Sequence, residues 1–349
     1  MPAASGIKRY DIPGLQALLH SWGEPSFRAT QLLQWLYAHG AQSYEEMSSL
    51  PASLRERLKA DEPLAPLGLL KRQTSSDGTR KYLFGLADGS RIETVAIPHA
   101  KRLTVCFSTQ VGCAMGCTFC STGRSGLVRS LAPGEMVDQL IAVSRDLGQR
   151  VTNAVAMGEG EPFANYDATL AALRIMNSPD GLGIGARHLT VSTCGLLTPL
   201  GRFSHEPDQF TLAVSLHSAV QATRDALMPA LAQQPLAALR EALASYGERT
   251  RRRPSLEVTL VSQVNDTPAE VEALIGFARG MLCHVNLIPL NPPSPPLSEG
   301  IGPSSPPERC AAIASQLQAA GVECSIRRSR GMDIGGACGQ LKGLAEAPA

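Results

Sequence analysis

Short apolar runs and helical patterns alternate along the chain between residues 101 and 290. The apolar runs end in polar or glycine-rich segments, which is typical of buried parallel strands. Between them, apolar residues recur every three or four positions, as in amphipathic helices. Six such βα units are too few to close an eight-stranded barrel, so the pattern predicts an α/β fold with a partial (βα)6 barrel. The predicted strands span 103–107, 154–157, 189–192, 211–216, 256–261 and 284–289.

The first hundred residues follow other patterns. Residues 1–62 show helical spacing, with one predicted helical stretch over 25–37 that is ended by Gly40 and a second helix over 54–58. This predicts a small N-terminal helical domain. Residues 63–100 alternate with the period of strands, and Asp88-Gly89 is a hairpin turn signal. We therefore expect a short β-hairpin linker there.

The last predicted region spans residues 291–349. It begins in a proline-rich segment, with eight prolines between 289 and 307, which predicts an extended surface loop. A last helix over 308–320 and a strand near 322–328 follow. The chain then enters a glycine-rich tail, 331–341, that carries Cys338. A cysteine on a mobile tail is a poor core residue and a good reagent.

Composition indicates the cellular compartment of the protein but does not identify a binding partner. The chain has 349 residues, 44% of them hydrophobic, which is enough for a large core. No apolar run reaches the roughly 18 residues that suggest a membrane helix, and residues 1–6 lack the features of a signal peptide. We therefore expect a cytoplasmic protein without a membrane partner. Its nine cysteines then stay reduced or bind metal. The net charge of +1 argues neither for nor against RNA.

Parallel strands collect their following loops at one edge of the sheet, where ligands of α/β folds bind. Five of the predicted strands are followed by glycine, cysteine or polar residues rather than by ordinary turns. The segments are 112–123, 158–162, 192–195, 215–218 and Asn291. The sequence therefore predicts one site at this edge.

The first of these loops contains three cysteines in the spacing C-x3-C-x2-C: Cys113, Cys117 and Cys120. Thiolates bind iron–sulfur clusters, and a four-iron cluster normally takes four of them. Three ligands leave one iron open to a small molecule with an amine and a carboxylate. A zinc knuckle or three unrelated buried thiols are the alternatives. Zinc sites prefer two pairs of ligands, and no matching second pair follows.

This loop, followed by Ser121-Thr122-Gly123, resembles the signature of radical S-adenosylmethionine (SAM) enzymes. The flanking residues are similar to those of RNA adenine methyltransferases of the RlmN and Cfr type. The similarity covers nearly the whole chain, including 27–29 and 35–37 of the helical module and the tail at 331–341. It implies a radical-SAM barrel, a 4Fe–4S cluster on the three cysteines, and SAM bound at the open iron.

The resemblance also implies SAM-binding positions at the strand ends. Glu161 would accept the amino group of SAM, and His217, which by itself could be an ordinary core histidine, belongs to the SAM-binding strand end. Related enzymes usually have methionine where this chain has Glu159, so a charge is added near the cofactor. The implied cofactor-binding residues are Gly160, Glu161, Ser192, Ser215, Leu216, His217 and Asn291.

Three further residues receive catalytic roles through the resemblance. Cys338 would be methylated by one SAM, and the radical formed from a second SAM would activate that methyl group for addition to adenine. Glu93, by default a surface carboxylate, would remove the ring proton. Cys106, by itself a small buried residue, would then attack Cys338 and leave a transient disulfide. The other cysteines are interpreted as structural: Cys194, Cys283, Cys310 and Cys324.

The implied reaction is methylation of adenosine at carbon 2 in the peptidyl-transferase centre of 23S rRNA, with the tRNA adenosine 3′ of the anticodon as second target. Glu161-Pro162 and the N-terminal module favour this branch, whereas Ser218 is shared with the carbon-8, Cfr-like resistance branch. A non-catalytic, redox-sensing RNA-binding protein is the alternative from another class. Expected partners are 23S rRNA, tRNA and a reductant such as flavodoxin, with the enzyme acting as a monomer.

Overall fold

A single ten-stranded sheet forms the centre of the protein in the computed structural model, which describes residues 6–291 and 302–341. The strand order is β1-β2-β3-β4-β7-β8-β9-β10-β11-β12, and a separate hairpin pairs β5 with β6. The strands are β1 Gly68–Thr74, β2 Arg80–Gly85, β3 Arg91–His99, β4 Arg102–Cys106, β5 Gln110–Gly112, β6 Leu127–Ser130, β7 Asn153–Ala156, β8 Leu189–Thr193, β9 Thr211–Ser215, β10 Ser255–Leu260, β11 His284–Pro289 and β12 Cys324–Ile326.

The sheet changes character at β4. Strands β1 to β4 are antiparallel to one another, whereas each neighbouring pair from β4 through β7 to β12 is parallel. All six predicted barrel strands are present within two residues of their expected ends. The strand predicted near 322–328 is β12, which pairs in parallel with β11 and extends the parallel part to seven strands. The partial-barrel fold predicted from the sequence is thus the observed architecture.

The predicted hairpin linker is continuous with this sheet. Its strands β2 and β3 pair as Asp88-Gly89 indicated, β1 adds a third strand, and β3 pairs with β4 from Val95 opposite Cys106 to His99 opposite Arg102. Periodicity identified the strands, but it carries no information about which strand pairs with which. The consequence for the site is that the strand carrying Glu93 lies beside the first barrel strand.

Helices cover the sheet and form the N-terminal module. The sequence missed α4 and α8, both of which lie in segments without a long apolar period. The helices are α1 Ile12–Ser21, α2 Phe27–Leu33, α3 Ala52–Asp61, α4 Ser121–Arg124, α5 Pro133–Leu147, α6 Tyr166–Asn177, α7 Leu197–Phe203, α8 Gln221–Leu227, α9 Leu236–Thr250, α10 Pro268–Ala278 and α11 Pro307–Ala319. A π-helical turn, Gln34–Ala38, follows α2.

The N-terminal module is packed onto the barrel through a buried ion pair. Lys8 Nζ lies 2.5 Å from a carboxylate oxygen of Asp138 on α5, and the two side chains are only 2% and 6% exposed. Apolar residues of the module and of the barrel form one continuous hydrophobic core. The described helices include none that is long and apolar enough to cross a bilayer. The predicted proline-rich loop lies mostly outside the described residues, at 292–301.

Candidate functional site

One cavity opens at the carboxyl ends of the parallel strands, where the sequence placed the site. It brings together residues from the cysteine loop, four of the strand ends and the C-terminal tail. Ten of the predicted site residues line it: Cys113, Cys117, Cys120, Gly160, Glu161, Ser192, Ser215, His217, Asn291 and Cys338. These residues are separated by up to 225 positions in the chain, so only the parallel sheet assembles them.

The cysteine loop begins as β5 and turns back against β6. Gly112 ends β5 with φ +75°, and a Cβ atom there would lie 2.0 Å from the carbonyl oxygen of Gly126. Only glycine fits this close approach. The next backbone N–H, of Cys113, donates to that same carbonyl at 2.9 Å, and Thr118 N–H donates to Leu227 O at 3.0 Å. The hairpin and α8 therefore fix the loop at both ends.

The glycine-rich loop after β7 is held by its two glutamates. Glu161 accepts hydrogen bonds from Thr193 Oγ1 at 2.6 Å and from the N–H groups of Cys194 and Phe163 at 2.7 and 2.9 Å. Burial raises the pKa of Glu161, and these donors oppose the rise. The carboxylate thus ties β7 to β8 while it lines the cavity, a structural role that the sequence did not suggest. Its predicted contact with an amino group stays a prediction.

The end of β9 presents alternate side chains to the cavity. Ser215 and His217 line it, whereas Leu216 between them is fully buried in the main core. The Leu216 side chain faces away from the cavity because neighbouring residues of a strand face opposite sides. The predicted contact of Leu216 with the cofactor would have to be made by its backbone, and it stays a prediction. The His217 ring accepts the Thr259 N–H at Nδ1, and burial lowers its pKa to about 3, so the ring is neutral.

The C-terminal tail closes one side of the cavity. Asn291 Nδ2 donates to the carbonyl oxygen of Cys338 at 3.1 Å, and Ser121 N–H donates to Gly339 O at 2.8 Å. Thr122 Oγ1 donates to Leu341 O at 2.6 Å. The tail is thus docked on the cysteine loop and on the end of β11. Cys338 and the three loop cysteines share one cavity.

Neither Cys106 nor Glu93 lines the cavity, but Cys106 is close to Cys338 and Arg327, which do. Burial and, to a smaller extent, the nearby Cys338 raise the pKa of the Cys106 thiol to about 12, although the Arg327 guanidinium opposes the rise. Both cysteines are free thiols. Glu93 is not the surface carboxylate that its strand suggested: it is 7% exposed and its Oε1 lies 3.1 Å from Lys81 Nζ.

Comparison with known proteins supports the same fold and type of site over nearly the full length of the chain. Residues 7–62 match the ribosomal RNA large subunit methyltransferase N-terminal domain, and residues 107–274 match the radical SAM superfamily. A probable dual-specificity RNA methyltransferase RlmN from Pelotomaculum thermopropionicum is 42% identical, with 96% of this chain and 91% of that protein covered. The dual-specificity RNA methyltransferase RlmN of Syntrophobacter fumaroxidans is 43% identical, with 96% and 97% covered.

The chain belongs to the RlmN family of radical SAM RNA methyltransferases. A solved radical SAM methyltransferase from Sphaerobacter thermophilus has the same fold, with a TM-score of 0.90 and 42% identity over 97% of this chain and 100% of that one. The resemblance, the α/β radical SAM fold and the assignment as an RNA methyltransferase are thereby confirmed. So are the 4Fe–4S cluster and SAM as cofactors of this RlmN-family protein.

The donor chemistry of the cavity fits the cluster of an RlmN-family enzyme. Burial raises the pKa of Cys113 to about 11 and also raises those of Cys117 and Cys120, so thiolates form there only against a compensating positive charge such as iron. No three acidic, histidine or cysteine side chains within residues 6–291 and 302–341 converge as they would on a single ion. The cysteines instead surround a shared cavity, as a polynuclear group with one thiolate per iron requires.

The sequence missed two cations of this RlmN-type site. Arg327 lines the cavity just beyond the end of β12, and the proximity of Cys338 raises its pKa. The strand-end rule that located the other residues could have found it had β12 been counted among the parallel strands. Lys81, on β2, joins Glu93 to the tail through a 3.3 Å hydrogen bond to Gly335 O. Nothing in the local sequence indicates that contact.

Proposed function

We propose that this enzyme methylates carbon 2 of adenosine in RNA through a methyl group carried on Cys338. The observation that carries the proposal is the placement of Cys338 in the cavity of the three cluster cysteines, with Cys106 beside it. A methyl carrier must reach both the site of radical formation and a resolving thiol, and this placement provides both neighbours.

When bound, the cluster and SAM supply the methyl group, the 5′-deoxyadenosyl radical and the sink for the electron released later. Cys113, Cys117 and Cys120 would hold the cluster. The remaining cavity residues would bind SAM through their polar groups and glycine backbone: Gly160, Glu161, Ser192, Ser215, His217 and Asn291. Glycine at 160, with φ +101°, packs so closely on Gln110 that any side chain would collide with it.

The chain's own residues then carry the remaining chemistry. The methyl carbon on the Cys338 sulfur, after giving one hydrogen atom to the 5′-deoxyadenosyl radical, would bond to carbon 2 of adenine, and Glu93, oriented by Lys81, would take the ring proton. Cys106 loses its proton and its sulfur bonds to the Cys338 sulfur. The bond between Cys338 and the transferred carbon breaks, and its electron pair stays with the carbon, which takes up a proton. The Arg327 guanidinium opposes the rise in the pKa of Cys106 that burial causes.

The substrates we propose are an adenosine of the 23S rRNA peptidyl-transferase centre and the tRNA adenosine 3′ of the anticodon. The dual specificity named for relatives that are 42–43% identical supports this choice, as does the match of residues 7–62 to a ribosomal RNA methyltransferase domain. We further propose a flavodoxin-type reductant and action as a monomer. We also propose a cytoplasmic location, because the enzyme needs both RNAs and a reductant in the same compartment.

Nucleoside mass spectrometry of RNA treated with the reconstituted enzyme tests the proposal. We expect 2-methyladenosine in both 23S rRNA and tRNA. Ribosomal RNA and tRNA from cells that lack 2-methyladenosine are the substrates, and enzyme without SAM is the control. A product that is mainly 8-methyladenosine would move the enzyme to the Cfr-like activity. Cluster-dependent RNA binding without any methylated nucleoside would favour the redox-sensing alternative.

A further inference from the structure

Glu159 is a buried carboxyl group to which the proposed reaction assigns no role. It lies in the glycine-rich loop after β7 and is 1% exposed. Its Oε1 accepts the backbone N–H of Glu93 at 2.7 Å, and its Oε2 accepts that of Gly112 at 3.4 Å. One side chain therefore contacts both the strand of the proposed proton acceptor and the residue that precedes Cys113.

A second set of bonds fixes Glu159 itself. Its N–H donates to Ser108 Oγ at 2.9 Å, and that hydroxyl donates to the carbonyl oxygen of Glu93 at 2.6 Å. Its carbonyl oxygen accepts the N–H groups of Thr109 and Gln110 at 2.8 and 3.2 Å. Both backbone polar groups of Glu93 are thus tied, directly or through Ser108, to Glu159.

The contacts extend from this point to the tail. Lys81 Nζ lies 3.1 Å from Glu93 Oε1 and donates to Gly335 O, three residues before Cys338. Hydrogen bonds therefore run from the tail through Lys81, Glu93 and Glu159 to the first residues of the cysteine loop. Related enzymes usually have methionine at this position, so this acceptor is particular to this chain. Here an apolar side chain at 159 would leave the N–H groups of Glu93 and Gly112 without the Glu159 carboxylate as acceptor inside the protein.

We propose that Glu159 is a positioning residue that sets the Glu93 carboxylate relative to the cluster loop and Cys338. The inference rests on the proposed role of Glu93 as proton acceptor. It assigns Glu159 no contact with RNA or SAM. Loss of the Glu159 carboxylate should impair the steps after radical formation, because the proton acceptor Glu93 is then misplaced by about an ångström. SAM cleavage should continue. Misplacement on that scale can reduce a rate by up to about 100-fold.

Two variants distinguish the effect of the hydrogen-bond acceptor on Glu159 from the effect of the volume that its side chain fills. Glu159→Gln keeps an amide oxygen that can accept the Glu93 N–H, whereas Glu159→Met keeps the length and removes every acceptor. Glu270→Met is the matched control: Glu270 is also a buried glutamate, 6% exposed, and its carboxylate accepts from Ser218 and Thr223 outside this network.

The first measurement is the ratio of methylated RNA to 5′-deoxyadenosine in the reconstituted enzymes. We expect Glu159→Met to lower the ratio about tenfold or more, with iron content and cluster absorbance as in the wild type. Glu159→Gln and Glu270→Met should retain the wild-type ratio. If the wild type methylates RNA and Glu159→Met has the same ratio, the inference about Glu159 is overturned and the proposed function is not affected. A wild-type enzyme that cleaves SAM yet methylates no RNA would overturn the proposed function and, with it, this inference.

The second measurement needs no RNA. Hydrogen exchange of the reconstituted protein should show faster exchange in peptides that cover residues 91–97 and 110–113 for Glu159→Met. Neither Glu159→Gln nor Glu270→Met should show it there. If Glu270→Met accelerates the same peptides equally, the effect is general loosening and the positioning role is refuted.

Discussion

The cysteine loop and the C-terminal tail bring cysteines to the same cavity, but different forces hold them. The loop begins in a β-hairpin, and the carbonyl group of Gly126 leaves no room for a side chain at Gly112. The tail has almost no regular structure beyond one 3-10 turn, Met332–Ile334. Its first part, residues 331–335, is held by polar contacts to the first hairpin: Asp333 accepts from Ser75 Oγ at 2.5 Å and from Ser76 N–H at 3.1 Å. Its last part is held by the hydrogen bonds from Asn291, Ser121 and Thr122 described above.

This difference corresponds to the two tasks that the cysteines would perform. Cluster ligands must keep one geometry, and buried backbone hydrogen bonds provide it. A methyl carrier must face the site of radical formation, the RNA and Cys106 in turn. The polar contacts of residues 331–335 lie near the surface and are individually weak, so this part of the tail can change its position at small cost. Asp77, which accepts the Gly331 N–H at 3.1 Å, is another such contact.

The largest effect should come from the loop. Replacing Cys113, Cys117 or Cys120 by alanine removes a thiolate ligand, so anaerobically reconstituted protein should lose its brown absorbance and all SAM cleavage. Cys310→Ala, at a cysteine 1% exposed in the core, is the control. It should keep the iron and lose only about 1–3 kcal/mol of stability. A triple alanine variant that still bound the iron of a full cluster would contradict the assignment.

The next effect separates Cys338 from Cys106. Cys338→Ala has no methyl carrier, so it should bind the cluster and never form a covalent RNA adduct. Cys106→Ala should be isolated with RNA attached through Cys338, because nothing attacks that sulfur. Nuclease digestion and mass spectrometry of the Cys338 peptide give the readout. An unmodified Cys338 in the Cys106→Ala protein, from cells with intact SAM supply, would refute the two-cysteine reaction.

A smaller effect should follow from loosening the tail. Asp333→Ala removes the acceptor of Ser75 and Ser76, so Cys338 spends less time in place and RNA methylation should fall by about tenfold. Iron content should not change. The control is Asp167→Ala, at an exposed carboxylate paired with Arg202 on the far helices. Equal losses in the two variants would show that the contact at Asp333 does not position the tail.

The smallest effect concerns acidity. Burial opposes ionisation of Asp77, but hydrogen bonds from Thr79, Gly331 and Ser75 outweigh it and lower its pKa to about 2. Because the folded pKa lies below the unfolded value of about 3.9, the carboxylate stabilises the docked tail above pH 4. That contribution is lost as the pH falls toward 2. The difference in Tm between wild type and Asp77→Asn should shrink between pH 6 and pH 3. A constant difference would show that the carboxylate charge does not matter.

Much of the protein could be predicted from local signals. The six barrel strands follow from apolar runs with helices between them, and the spacing of Cys113, Cys117 and Cys120 predicted three candidate cluster ligands that line one cavity. The strand-end rule grouped nine of the ten predicted residues that line the cavity, and Cys338 was added by the resemblance. These features are local in sequence, because side-chain periodicity and ligand spacing are set within a few residues.

Only the tertiary structure decided in which direction each side chain points and which residues it contacts. It buried Leu216, turned Glu161 into a link between two strands, and placed Arg327 beside both reactive cysteines. It also joined the predicted hairpin linker to the barrel and docked the tail on it through Ser75 and Asp333, 258 positions apart. Such contacts depend on distance in space, and the sequence pattern around either partner contains no trace of the other.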